Sequence, residues 1–196
     1  PMGFPGGPGG PGGPGGGIPP EVEAALERVA TILISMVPDI VALGKGMGGG
    51  MPIGAFTAST AHMRLLSDNP KMGHITTFGG HPVIAAAALA TAKTILEGEL
   101  IQQTLEKEKL FRRLLKHDLI TEVRGKGLML AAITPSAEIT TEAILMAQDE
   151  GLILFWLLFE TKAIRITPPL TISEDEIIKG CEILLKVLNK IATKLS

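Results

Sequence analysis

The chain has 196 residues, 18 Lys+Arg against 20 Asp+Glu, a formal net charge of -2 and an apolar share of 45%, enough for one ordinary domain with or without a small second one. Both signs of charge are spread along it and the pI is about 6.1, so no basic stripe is available for phosphate backbones, and nucleic acid is not expected as a principal partner. The lone Cys181 excludes an intramolecular disulfide framework and suits a reducing, cytoplasmic setting, and no apolar run approaches the roughly 20 residues of a membrane span.

Residues 1–18 form a Pro-Gly-rich segment in which Pro5 to Gly16 repeat as Pro-Gly-Gly. Four triplets are too few for an independent triple helix, so the composition predicts a flexible or partly extended tail, or a tag or fusion joined to an ordinary globular sequence. Residues 19–37 form a lead-in. Pro19 and Pro20, the acids after them, and Val22, Leu26, Val29 and Leu33 near helical spacing predict a helix over 20–35, with a strand as the alternative because of Thr31, Ile32 and Ile34. Those same acids precede the apolar stretch Val29 to Val37 where a signal peptide would carry basic residues.

Asp39 to Leu43 is a short apolar run that ends at a glycine loop, as a buried strand does. Met51 to Ala58 predicts another strand. His81 to Glu97, alanine-rich with Pro82 early and Gly98 just beyond, predicts a helix, and Glu99 to His117 an amphipathic one. Strands are then expected at Leu128 to Ile133, Leu152 to Phe159 and Ala163 to Thr167, with a helix over Thr140 to Glu150. Ser173 followed by Glu176 is a capping box that opens a last helix reaching about Leu195. The order is that of an α/β region, 38–97, followed by a smaller α+β domain, 98–196.

The stretch PDIVALGKGMGGGMPIGAF, Pro38 to Phe56, holds one lysine, Lys45, between Gly44 and Gly46 at the end of the first strand. A lysine without a neighbouring carboxylate, among glycines that admit a ligand, can be partly desolvated, and its freed lone pair suits Schiff-base chemistry with an aldehyde. The alternative is a surface lysine in a glycine turn. In HITTFGGHP, His74 to Pro82, the hydroxyls of Thr76 and Thr77 and two glycines stand just before a helix, which suits either a phosphate or an ordinary helix entry. Arg165 is a single cation in the apolar run AIRITPPL. It suits bidentate binding of a carboxylate, or a structural pairing with Glu160 or Glu122. His62, His74, His81 and His117 lack metal-ligand spacing, so no metal site is expected.

Four ordered stretches, PDIVALGKGMGGGMPIGAF, HITTFGGHP, VRGKGLML and IRITPPLTIS, resemble the class III aminotransferases, pyridoxal-phosphate enzymes that include acetylornithine, ornithine and 4-aminobutyrate aminotransferases. The likeness covers roughly Pro38 to Ile191. It implies a fold-type I large domain followed by a small C-terminal domain, and transfer of an amino group between an amino acid or ω-amine and a 2-oxo acid. By this resemblance Lys45 would carry the cofactor as a Schiff base and move the substrate's proton, and Thr77, with Thr76 beside it, would contact the phosphate across a homodimer. Arg165 would grip the substrate carboxylate, and RGKG, Arg124 to Gly127, would be a structural turn. The family often has Asn where this chain has His81. Its phosphate loop, its stacking aromatic and the Asp that pairs with the pyridine nitrogen have no counterpart in residues 1–37. A non-catalytic scaffold or dimerisation fragment is therefore the competing expectation.

Overall fold

The computed structural model describes residues 38–68, 71 and 75–195. The Pro-Gly segment 1–18, the lead-in with its expected helix over 20–35, and His74 lie outside the described residues. Two compact units divide between Gly98 and Glu99.

In the first unit the chain reverses on itself. Strands β1 (Ile40–Gly44) and β2 (Gly54–Ala58) pair antiparallel from Ile40 opposite Ala58 to Gly44 opposite Gly54. Exposure alternates along β1, with Val41 and Leu43 partly covered, in place of the expected buried strand. The second strand begins at Gly54, three residues later than Met51, because Gly49, Gly50 and Pro52 are spent in the loop. Helix α1 (Thr60–Asp68) follows directly. Its nine-residue pattern is short, and Pro70, two residues beyond its end, is the stop signal the sequence offers. Helix α2 (Pro82–Glu97) opens with Pro82 at its first turn, where a missing N–H costs nothing, and stops at Gly98, whose N–H donates to the Thr94 carbonyl at 3.1 Å. His81 caps it: Nδ1 accepts from the Val83 N–H at 3.3 Å. An asparagine side chain would do the same there, so the departure from the family's usual Asn leaves the helix entry intact.

The second unit runs α3 (Leu100–Leu114), β3 (Glu122–Lys126), β4 (Met129–Ile133), α4 (Ala137–Asp149), β5 (Phe155–Leu157), β6 (Glu160–Ile166) and α5 (Glu174–Leu195). The four strands form one antiparallel sheet in the order β3-β4-β6-β5. One row across it, Val123, Ala132, Ile164 and Trp156, alternates with a second row, Arg124, Ala131, Arg165 and Phe155, and the period of two sends these rows to opposite faces. Ala132 and Ile164 join the main core, where α3, α4 and α5 contribute Phe111, Ile144, Leu188 and others.

Sequence patterns placed most of these elements, with shifted ends. The α4 helix begins at Ala137, not Thr140, because Ser136 caps it, its hydroxyl accepting from the Ile139 N–H at 3.4 Å. The expected strand Leu152 to Phe159 shrinks to Phe155–Leu157, since Leu158 and Phe159 form the hairpin turn to β6. The other hairpin arm is longer than expected: β6 starts at Glu160. Strand β3, charged at three of five positions, carries no apolar alternation to read. The capping box at Ser173 is present, with the Glu176 carboxylate accepting from the Ser173 N–H at 2.8 Å.

The RGKG turn is bolted to α3. Arg112 donates to the carbonyls of Val123 and Gly125, and Glu108 accepts from Arg112 at 2.8 Å and from the Gly127 N–H at 2.5 Å. Those bonds hold the Glu108 carboxyl below its ordinary pKa, the Gly127 N–H being the main cause. Gly125 adopts φ 108, and a Cβ there would lie 2.0 Å from the Met129 carbonyl, so no other residue fits.

Candidate active site

Lys45 begins a 3-10 turn, Lys45–Gly48, directly after β1. It has φ 51, in the left-handed region that residues with a Cβ rarely enter. Such a backbone persists only where its surroundings hold it. Here they do so through glycines. A Cβ on Gly48 would lie 2.9 Å from the Ile53 side chain, and one on Gly49 would lie 2.2 Å from Thr91 Oγ1, so the turn is pressed against both the returning loop and α2. Beside Gly46, by contrast, nothing lies within 4 Å of a Cβ position. The lysine is exposed, as the alternative of a surface lysine in a glycine turn had it and not as the partly desolvated reading did, because the hairpin leaves the strand end open. Among the described residues its amine forms no ion pair.

Thr76 and Thr77 stand exposed in the loop that enters α2. Two overlapping turns shape it: the Gly79 N–H donates to the Thr76 carbonyl and the His81 N–H to that of Phe78, each at 3.2 Å. A Cβ on Gly79 would lie 2.7 Å from Thr76 Oγ1, so this glycine lets the hydroxyl approach the backbone. The lysine turn meets α2 at Ala87 and Thr91, whereas the threonine loop enters it at Pro82. At 1.5 Å of rise per residue, the two lie roughly 10 Å apart along the helix. Among the described residues no hydrogen bond joins Lys45 to Thr76 or Thr77.

Arg165 is exposed on β6, not buried, because alternation aims Ile164 and Ile166 at the main core and Arg165 at the other face. Neither structural pairing considered from the sequence forms: Glu122 binds Arg124 at 2.7 Å, and Glu160 accepts from the Lys162 N–H at 3.2 Å. The guanidinium lies 6.0 Å from the centroid of the Phe155 ring, and its Nε donates to Thr167 Oγ1 at 3.1 Å. These neutral contacts orient the fork and leave its terminal donors for an anion. Phe155 and Thr167 were not singled out in the sequence; the signal available was Phe155 in an apolar run and Thr167 two residues after Arg165.

The three described histidines are satisfied. His62 bonds Ser59, His81 caps α2, and His117 bonds Asn189 and the Leu119 N–H. No metal-holding group of three His, Cys, Asp or Glu occurs among the described residues.

Residues 28–188 match the class-III aminotransferase family, and the chain belongs to that family. An acetylornithine aminotransferase from Elizabethkingia anophelis superimposes with a TM-score of 0.69 at 30% identity, over 82% of this chain and 41% of that one. An ornithine δ-aminotransferase from Plasmodium falciparum gives 0.70 at 28% identity, over 89% and 47%. For the ornithine aminotransferase from Toxoplasma gondii the values are 0.70 and 25%, over 80% and 38%. The chain therefore spans less than half the length of each. The α/β fold of the pyridoxal-phosphate-dependent transaminases follows from these similarities.

Pyridoxal phosphate requires an amine for its aldehyde, hydroxyl and N–H donors for its phosphate, and a carboxylate for its ring nitrogen. Lys45 fits the first requirement, and Thr76 and Thr77 the second. No described residue is assigned to the third.

Proposed function

We propose that the chain takes part in amino-group transfer between an amino acid or ω-amine and a 2-oxo acid, with Lys45 as the residue that binds pyridoxal phosphate. The observation that carries this reading is Lys45 itself: a lysine held at φ 51 by packed glycines, its amine in no ion pair among the described residues, in a chain of the class-III family. When bound, the cofactor supplies an electron sink that weakens the bond to the substrate's α-proton. Lys45 Nζ removes that proton and returns it. Thr76 and Thr77 hold the phosphate with their hydroxyls. The family likeness supports a homodimer in which each threonine loop serves the other subunit's lysine. Arg165 anchors the carboxylate of the amino donor or of the 2-oxo acid. The free, buried Cys181 accords with a reducing, cytoplasmic setting.

The test is transfer of 15N from labelled amino donors to 2-oxoglutarate by the full chain supplied with pyridoxal phosphate. Labelled glutamate is expected with the unmodified chain and none with Lys45→Ala. In Arg165→Met the KM for a carboxylate-bearing donor is expected to rise at least about tenfold, with kcat changing less. Equal transfer by Lys45→Ala would overturn the assignment. No transfer by the unmodified chain would favour the non-catalytic fragment.

A further inference from the structure

Lys107 lies on α3 and is 9% exposed, buried beside Leu110 and Phe111. Lysine is seldom buried without a partner that compensates its charge. Among the described residues Lys107 forms no ion pair. Its Nζ donates instead at 2.7 Å to the carbonyl of Leu170, 63 residues further along the chain. Neighbouring Lys109 shows the ordinary alternative, an exposed pair with Glu106 on its own helix at 2.7 Å. Leu170 ends the segment Thr167-Pro168-Pro169-Leu170 that leaves β6. The two prolines fix their own φ and hold the residue before each of them extended, so the segment is stiff. Its far end is fastened twice more: the Leu170 side chain packs against the main core, and the Ile172 N–H donates to the Pro169 carbonyl at 3.0 Å. At its near end Thr167 Oγ1 accepts from Arg165 Nε at 3.1 Å, and among the described residues it is the one hydrogen-bond acceptor of that guanidinium.

We propose that Thr167 and Lys107 are positioning residues for the Arg165 guanidinium, Thr167 by fixing Nε and Lys107 by holding the stiff segment that carries Thr167. The proposal rests on the reading of Arg165 as the carboxylate anchor. With Nε committed to the hydroxyl, the plane of the guanidinium is set by the end of the sheet, and its terminal nitrogens are left to act as a pair. Without that bond the long side chain regains rotamer freedom that a bound carboxylate must remove again. Lys107 acts at a distance, through Leu170 and the prolines, and makes no contact of its own with Arg165. Neither residue is catalytic, since each acts through Arg165.

The experiment is 15N NMR of the arginine Nε–H groups in the full chain without cofactor, followed by titration with pyruvate as the carboxylate probe. Arg165→Met identifies the Arg165 signal. Thr167→Val keeps the shape of the side chain and removes its hydroxyl. In that variant exchange of the Arg165 Nε–H with water is expected to quicken at least about threefold, and pyruvate affinity to fall about three- to tenfold. Thr167→Ser, which keeps the hydroxyl, is expected to hold both within about twofold of the unmodified chain. Lys107→Met keeps the aliphatic stem and removes the donor, and is expected to move the same signal in the same direction by a smaller factor, with Lys107→Arg restoring it. An Arg165 Nε–H signal unchanged in Thr167→Val, or a change that Thr167→Ser shares, would overturn the role of Thr167. An unchanged signal in Lys107→Met, with circular dichroism retained, would overturn that of Lys107. Thr167 is exposed, so its variants decide even where Lys107→Met fails to fold. Absence of pyruvate binding in the unmodified chain would overturn the anchor reading alone, because the Nε signal is read without ligand, so the two readings fail separately.

Discussion

The two units are built on different principles. Among the described residues of the first, only Gly48 and Ala88 are buried, whereas the main cluster of the second contains seventeen buried residues, so the second unit has the larger share of hydrophobic stabilisation. Lys45, Thr76 and Thr77 are positioned by turns, tight glycines and a helix cap. Arg165 is instead carried on a strand whose other face is locked into a core. The residues proposed to meet a ligand are exposed in both, but the first unit fixes them by backbone geometry and the second by packing. Damage to each should therefore read out differently.

The largest effect is expected from the core of the second unit. Ile164→Ala removes side-chain atoms from a residue with 0% exposure at the centre of the sheet, and should cost about 2–5 kcal/mol in urea unfolding. Phe56→Ala, at a residue 48% exposed on β2, should cost less than about 1 kcal/mol. The reverse order would break the comparison. A smaller effect is expected from the glycines. Gly125→Ala must place a Cβ at φ 108 against the Met129 carbonyl, and should destabilise the second unit by about 1–3 kcal/mol. Gly49→Ala, at φ 57 against Thr91, should leave hydrogen exchange in α5 unchanged while altering access to the Lys45 amine, read as its rate of reductive methylation.

The smallest effect sharpens the contrast by pH. Glu150 accepts from Lys186 and Lys190, each at 2.6 Å, and these bonds lower its pKa from 4.5 to about 2. A depressed folded-state value means that the contribution is present above about pH 4.5 and is lost as pH falls toward 2. The group is solvent-accessible, so salt should weaken it. Lys186→Met with Lys190→Met should flatten the acid limb of a stability profile, while Lys71→Met in the first unit should not.

Much of the fold was legible because it rests on local chemistry. Pro82 with Gly98 bracketed α2, and Ser173 with Glu176 announced α5, since caps act within a few residues. Strand β3 was not legible: Glu122, Arg124 and Lys126 show no apolar alternation, and only pairing with β4 makes the segment a strand. The candidate site was legible as residue types in order, but not as environments. Lys45 could be read as partly desolvated or as a surface lysine in a glycine turn, and Arg165 as a carboxylate anchor or as a structural partner of Glu160 or Glu122. Exposure depends on which neighbours the hairpin and the sheet place beside them, and that is a tertiary fact.

The most direct test of the assignment of Lys45 is to saturate the full chain with pyridoxal phosphate, reduce with borohydride, and map the modified residue by peptide mass. The account predicts one cofactor per chain, fixed on Lys45, and none in Lys45→Ala. An adduct spread over surface lysines such as Lys93 and Lys116, or equally abundant in the variant, would contradict it.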